Sequence, residues 1–435
     1  MISLSSPTTD AGTGSRYRRR TGNPQVRHIR AGKAIGWILV LACSSVFPAP
    51  GHGDEWKWRE KILFHGFLSQ GFSWTSDNNF FGHSEDGSFN FTEIGVNGRL
   101  TATSWLSVAA QGIYRHAGNV ENKVQLDYAL ADFLLYEDRR FSLHLRGGRI
   151  KNPYGLYNET RDVAFTRPSI ILPQGIYFNR SRSLYLSSDG GQFFLGYNHG
   201  LHELSFTFNA GLPRRDFAEL EFSIFGFTPP GGLEPNRPMY LGQIRYEYDA
   251  GKVIFALGYG DIELEYNATA NDPVAVMLSE RPFRSGTFRT RPLIVSLQFN
   301  GESFSLTGEY LLQFNKASHF GPGLNRSLTS ESWYVQGQYR ILPSLQLLLR
   351  YDAYFLDRSD RDGDDLDLIP IRPRHSAFAK DWTAGLRWDI TPRWMAAIEY
   401  HNVDGTAWLP FKDNRNPLKT ERRWNMVLGL ISFRF

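Results

Sequence analysis

The sequence predicts an all-β chain closed into a transmembrane antiparallel β-barrel of about sixteen strands, and three observations lead there. From Ile62 onward, segments of roughly ten residues alternate apolar and polar side chains with period two, as strands with one greasy and one wet face do. Short turn-forming links and long polar connections take turns between those segments. No run of about eighteen or more apolar residues exists, which excludes a transmembrane helix.

The chain opens differently. Residues 34–47 (AIGWILVLACSSVF) form an apolar run too short to span a bilayer. Arg16, Arg18, Arg19, Arg20, Arg27, Arg30 and Lys33 precede it, and small residues follow. That order of charge, apolar stretch and small-residue end is expected of a secretory signal over residues 1–53, cut after Gly51 or Gly53. Its removal takes away seven basic residues and one acidic, moving the formal charge from +4 to −2. The basic balance therefore belongs to the precursor, and a nucleic-acid partner loses its support. Cys43 is the sole cysteine and lies inside the signal, so residues 54–435 are expected to form one domain without a disulfide.

The alternation holds along the chain. Ile94, Val96, Leu100 and Ala102 oppose Glu93, Asn97, Arg99 and Thr101. Trp333, Val335, Gly337, Tyr339 and Ile341 oppose Tyr334, Gln336, Gln338 and Arg340, and the last run ends on Phe435 itself. Short links with Gly, Asn and Pro turn chemistry fall at 102–104, 137–140, 198–200, 249–251, 300–302, 342–344 and 391–392. Long polar connections fall at 75–91, 115–123, 151–183, 211–239, 261–291, 313–330, 356–380 and 402–423. A soluble sandwich gives no reason for such strict alternation, whereas outer-membrane barrels place short turns on the periplasmic side and long loops outside. A ring of that size keeps an aqueous bore, and closure satisfies every backbone hydrogen bond in lipid. Trp74, Trp105, Trp333, Trp382, Trp394 and Trp424, near segment ends, are expected in interfacial girdles.

With these features assembled, the chain resembles the Gram-negative outer-membrane porins, nearest to the phosphate-selective and related sixteen-stranded group. The likeness covers nearly all of the chain after the signal in layout. It is sharpest in HGFLSQGF (65–72), in GRIKNPYGLYNETRDVAFTRPSIILPQ (148–174) and in the terminal Phe435. It implies a trimeric diffusion channel for small hydrophilic solutes, set among outer-membrane lipid and lipopolysaccharide, with neither enzymatic activity nor a cofactor. It also implies that the third outer loop folds into the lumen, and that Phe435 belongs to the signal read by the barrel-assembly machinery. The tandem lysine array of the best-known phosphate-selective members is missing, so the resemblance does not extend to phosphate.

The loop that matches is 151–183, a long aperiodic connection of the kind that is usually functional. It carries Lys151, Arg161, Arg167, Arg180 and Arg182 against Glu159 and Asp162. Charges facing one another across a narrow, low-dielectric constriction act more strongly than on an open surface. These residues are therefore expected to form an anion-favouring pore constriction, joined by Arg146 and Arg149 on the strand that enters the loop. Arg281, Arg284, Arg289 and Arg291 form a second basic cluster, a candidate prefilter for anions. On the lumen wall, Arg99, Arg245, Arg340, Arg350 and Arg387 stand against Glu93, Asp127, Glu309, Asp352 and Glu399. Most of these are expected only to keep the wall wet and stiff, pairing across strands.

Other chemistry finds little footing. Asp360, Asp362, Asp364, Asp365 and Asp367 cluster in one outer loop, but Gly363 stands fourth from Asp360 where a calcium loop wants glycine sixth. No metal site is expected there. Histidines are scattered, and no Gly-x-Ser-x-Gly, His-Glu-x-x-His or glycine-rich phosphate loop occurs. Two alternatives remain beside the channel: a docking barrel for a partner such as a redox protein, and a barrel hydrolase whose Ser and His lie far apart in sequence.

Overall fold

The structure, a computed structural model, describes residues 61–226, 228–229, 231–268, 284–321, 325–365 and 372–435. The signal expected over 1–53, Arg281 and Asp367 lie outside the described residues.

Strand β1 (Ile62–Thr75) pairs antiparallel with β2 (Ser88–Thr101) on one side and with the last strand, β17 (Arg423–Arg434), on the other, so the sheet closes into a ring. Chain order runs on through β3 (Leu106–Ala117), β4 (Glu121–Glu137), β5 (Phe141–Lys151), β6 (Ser187–His199) and β7 (His202–Pro213). A two-residue rung, β8 (Glu234–Pro235), leans on the outer end of β10 and does not cross. The ring continues with β9 (Met239–Tyr248), β10 (Val253–Tyr266), β11 (Gly286–Asn300), β12 (Phe304–Ser318) and β13 (Arg326–Leu342). It is completed by β14 (Leu345–Phe355), β15 (Phe378–Thr391) and β16 (Trp394–Gly405). Each long strand pairs with its sequence neighbours, giving the expected closed barrel of sixteen spanning strands.

All seven short links lie where the sequence places them. One long connection does not exist. Strand β3 runs to Ala117 and β4 starts at Glu121, so the polar stretch 115–123 is mostly strand. The reason is that its charges face the bore. Arg115 sits directly across from Glu93, with Nε 3.3 Å from Oε1, and its Nη1 lies 2.6 Å from Glu121 Oε2. Only Gly118, at φ +58°, marks the turn. Strands β10 to β13 also reach further outward than expected, carrying polar residues such as Arg289, Lys316 and Ser327 in paired ladders.

The wall is built inside-out. Val335, Leu349, Leu297 and Ile398 point outward with 51 to 56% of their surface exposed. Gln336, Glu309, Arg350 and Glu399, facing in, are buried. Apolar surface around a polar interior is stable only against lipid. Aromatic pairs ring the two ends: Trp394–Phe433 and Phe141–Tyr197 on the short-turn side, Tyr351–Trp382 and Phe72–Phe89 towards the loops. Trp424 departs from the girdle expectation. It turns inward, packs 5.3 Å from Trp408 and donates Nε1–H to the Gly405 carbonyl.

The seam between first and last strands is finished by the terminal residue. Phe435 N–H donates to Gly66 O at 3.0 Å, and Gly66 N–H returns to Phe435 O at 3.2 Å. The Phe435 ring lies where a Cβ on residue 66 would stand, 2.4 Å from that position, so only glycine leaves room for it.

Candidate functional site: a loop pinned inside the bore

Between Lys151 and Ser187 the chain leaves the wall and crosses the interior, as the sequence predicts. Its path is fixed by polar groups that no soluble loop would find. Gly155 O accepts from Gln243 of β9, and Leu156 N–H donates to Glu309 of β12 at 2.9 Å. Ile170 N–H donates to Glu399 of β16 at 2.5 Å. Arg350 of β14 reaches Ser169 Oγ and Ile171 O, and Arg387 of β15 donates to the carbonyls of Phe165 and Arg167. The loop therefore touches the wall on nearly every side and narrows the passage.

Glu309 is the main anchor. Its carboxylate accepts from Leu156 N–H, from Ser296 Oγ at 2.7 Å, and from the hydroxyls of Tyr177 and Tyr334 at 2.6 and 2.7 Å. Gly155 supplies the tight bend, at φ +61°, that brings the loop backbone against this cluster. A buried carboxylate with four donors is well satisfied and stiffens what it holds.

The basic residues of the loop fall into a second network. Asp162 sits buried between Lys151 and Arg182, bonded to both. Lys151 Nζ also lies 2.7 Å from Asp127 Oδ1 on β4, and Arg182 Nε stands 3.9 Å from Glu121. Arg167 makes a two-point pair with Glu93 of β2, at 2.7 and 3.2 Å. Burial alone would raise the Asp162 carboxyl, but Arg182 and Lys151 outweigh it and hold it well below the usual carboxylate range. Arg161 donates to Tyr177 O at 2.7 Å; burial and the neighbouring Arg182 push its guanidinium down to about 9. Arg180 bonds the Ala407 carbonyl on the far side of the bore.

So the loop cations are largely spent on structure. Lys151, Arg161, Arg167 and Arg182 are buried, and carboxylates or carbonyls occupy them. Arg149 leaves the group altogether. It stands opposite Asp189, pairs with it at 2.7 Å, and points off the outer face of the wall beside exposed Leu126. The inward face at that level belongs to Ser188 and Gln192, both buried, so residue 189 must face out. Arg146 does face in, 3.2 Å from Asp132 and bonded to Gln192 at 2.6 Å.

Glu159 carries the loop charge that stays open to water. Protein flanks it all round; that desolvation pushes its carboxyl above the ordinary glutamate range, against the pull of Arg146, Arg245 and Lys151. The wall facing the water adds exposed Arg99 and Arg340, with Arg245 paired to Glu247 at 2.6 Å and Arg387 to Asp389 at 3.0 Å. Glu93, Asp127, Glu309, Asp352, Glu399 and Arg350 are all buried, under the loop or between strands. Arg115, Glu121 and Tyr177 escaped the sequence reading, which puts Tyr334 on the inward face without a role. Glycine at 118 and the unbroken parity of Arg115 and Glu93 were the available signals for the first pair. For Tyr177 there was none.

Of the second basic cluster, Arg284, Arg289 and Arg291 are described, the last two on one face of β11. Arg289 pairs with Asp261 at 2.7 Å, and Arg284 precedes the strand. In the acidic loop, Asp360 accepts from the backbone of Asp364 and Asp365, and Arg374 pairs with Asp364. Among the described residues no group of His, Cys, Asp and Glu is arranged to hold a metal.

Comparison with known proteins locates the fold. No protein-family model matches the chain, and no curated protein matches it. Solved structures do. The outer membrane channel DcaP of Acinetobacter baumannii superposes at TM-score 0.53 and 13% identity, over 86% of this chain and 97% of that one. The anion-selective porin from Comamonas acidovorans gives 0.52 at 10% identity, over 86% and 99%. The in-vitro folded OmpT of Vibrio cholerae, in a trimer form, gives 0.52 at 11%, over 86% and 99%. The chain has the fold of the Gram-negative outer-membrane porins. Its apolar belt and polar bore are those of a barrel built to sit in a membrane.

Proposed function

We propose that this porin-type barrel is a passive diffusion channel for small hydrophilic solutes, with a mild preference for anions and no enzymatic activity. The observation that carries the reading is the inward loop, held at Glu309, Glu399 and Glu93 so that it narrows the bore while leaving Glu159, Arg146 and Arg245 open to water. The preference rests more on the wall than on the loop, because Lys151, Arg167 and Arg182 are paired with carboxylates, whereas exposed Arg99 and Arg340 on the wall meet none among the described residues. Planar-bilayer recording across a salt gradient tests this: stepwise conductance with an anion-directed reversal potential is expected. A closed barrel without conductance would instead favour the docking reading.

Three further parts of the reading follow. Residues 1–53 are the export signal, and the closure of the seam by Phe435 supports its role for the barrel-assembly machinery. Three channels assemble as a homotrimer. The exposed Arg149–Asp189 pair supports this, since an ion pair on a lipid-facing wall is unfavourable and a protein contact relieves it.

A further inference from the structure

Outside the constriction loop, the outer half of the bore holds a cavity of about 260 Å³. Its lining comes from five places at once: Phe178 and Arg180 of the inward loop, the helix α1 (Ala218–Phe225), strands β11 to β14, the segment around Arg372, and the loop between β16 and β17. Two features separate it from the rest of the interior.

The first is charge. Arg180, Arg326 and Arg372 all line it, and among the described residues it has no carboxylate in its lining and none paired with these arginines. Several other inward arginines meet an acid, as in Arg115–Glu93, Arg167–Glu93 and Arg350–Asp352. Here Arg180 and Arg372 are held in place by carbonyls alone. Arg180 donates to Ala407 O, and Arg372 Nη2 to Phe222 O at 2.7 Å and Ser223 O at 3.0 Å. Burial, then the proximity of Arg180 and Arg326, pushes the Arg372 guanidinium down to about 10. Arg326 is exposed towards the space. Three like charges gathered without a counterion are unfavourable unless an anion joins them.

The second is aromatic surface. Phe222 stacks on Phe411, the Arg372 guanidinium lies 5.8 Å from the Phe222 ring centre, and Phe178 meets Tyr354 edge-on at 4.8 Å. Leu220 and Ile224 complete an apolar side. Inorganic phosphate would meet the guanidinium groups and leave the rings in water. An aryl ring carrying a carboxylate uses both.

We propose that this vestibule is a binding subsite for small aromatic carboxylates, visited before the constriction by solutes coming from outside. This rests on the channel reading above, and benzoate is the probe that tests it. Binding is measured by calorimetry on the detergent-solubilised full barrel, and transport separately by bilayer current. Benzoate is expected to bind and to reduce the chloride current, and acetate, lacking the ring, to bind about ten-fold more weakly. Arg326→Gln, which frees no other described group, should weaken benzoate about ten-fold. Arg326→Gln with Arg372→Gln should abolish binding. Retained benzoate affinity in the double variant would overturn the assignment, as would equal affinity for benzoate, acetate and phosphate, which would mean a generic anion surface. Conductance without benzoate binding removes the subsite and leaves the channel. Binding without conductance removes the channel reading instead.

Discussion

At the scale of single residues, the charge a permeating ion meets differs from the charge the loop carries. Lys151, Arg167 and Arg182 are cancelled by Asp127, Asp162 and Glu93, while Glu159 stays in water opposite Arg146 and Arg245. Removing that carboxylate with Glu159→Gln should move the reversal potential towards anions, raising the anion-to-cation permeability ratio about two- to five-fold. Arg340→Gln should move it the other way, and Arg167→Gln should leave selectivity nearly unchanged while weakening the loop. Because the Glu159 carboxyl titrates above its ordinary 4.5, it loses charge before an ordinary glutamate does as pH falls. Anion preference is therefore expected to rise as pH falls from neutral, and the Gln variant to show no such rise. Asp162 behaves oppositely. Held well below its ordinary 3.8, it keeps its charge, and its hold on Lys151 and Arg182 is complete above that value and lost only in stronger acid. Recordings over a pH series read both.

At the scale of elements, the inward loop is a strap whose strength lies in a few buried acceptors. Glu309→Leu strands the Ser296, Tyr177 and Tyr334 hydroxyls, each at about 1–3 kcal/mol, and leaves the Leu156 N–H only Tyr177 Oη. The expected result is a larger, flickering single-channel conductance with the barrel still intact on a semi-native gel. Gly155→Ala should do the same by another route. Its Cβ would stand 2.3 Å from Tyr177 Oη and 2.9 Å from Glu309, at a φ of +61° that alanine resists. A quiet channel of unchanged conductance in both variants would show that the loop is held by its apolar packing instead. The loop's existence was legible in the sequence, because forty-odd aperiodic residues interrupt a period-two pattern. Its fastening was not. Glu93 and Arg167 lie far apart along the chain and only the inward fold of the loop brings them together, while Asp127 and Lys151 meet across the β4–β5 hairpin, a pairing that strand parity alone did not single out. Parity says that Glu309 faces in, and nothing in local sequence says what reaches it. The same blindness turned 115–123 into a loop, since polar strand residues facing water and polar loop residues read alike until their partners are known.

At the scale of the whole molecule, the barrel itself was legible almost end to end, because a membrane wall admits one solution. Outward positions must be apolar, inward ones wet, and every strand must find a partner. The exception to the outward rule is informative for that reason. Arg149 and Asp189 stand on the outer face among exposed Leu126, Phe193 and Leu212. Arg149 stands two residues from the outer end of β5, and an arginine facing lipid costs from about 0–1 kcal/mol near the interface to about 2–4 kcal/mol at mid-bilayer, so two leucines there would suit a lone barrel better. If another copy of the chain covers this patch, the pair is shielded, and leucines lose its directional contact. Replacing both, Arg149→Leu with Asp189→Leu, should therefore raise the monomer fraction of detergent-solubilised protein, seen by light scattering and by semi-native gels, while conductance per channel stays the same. An unchanged trimer with a more heat-stable barrel would mean that the patch meets lipid, and that the contact between channels lies elsewhere on the wall.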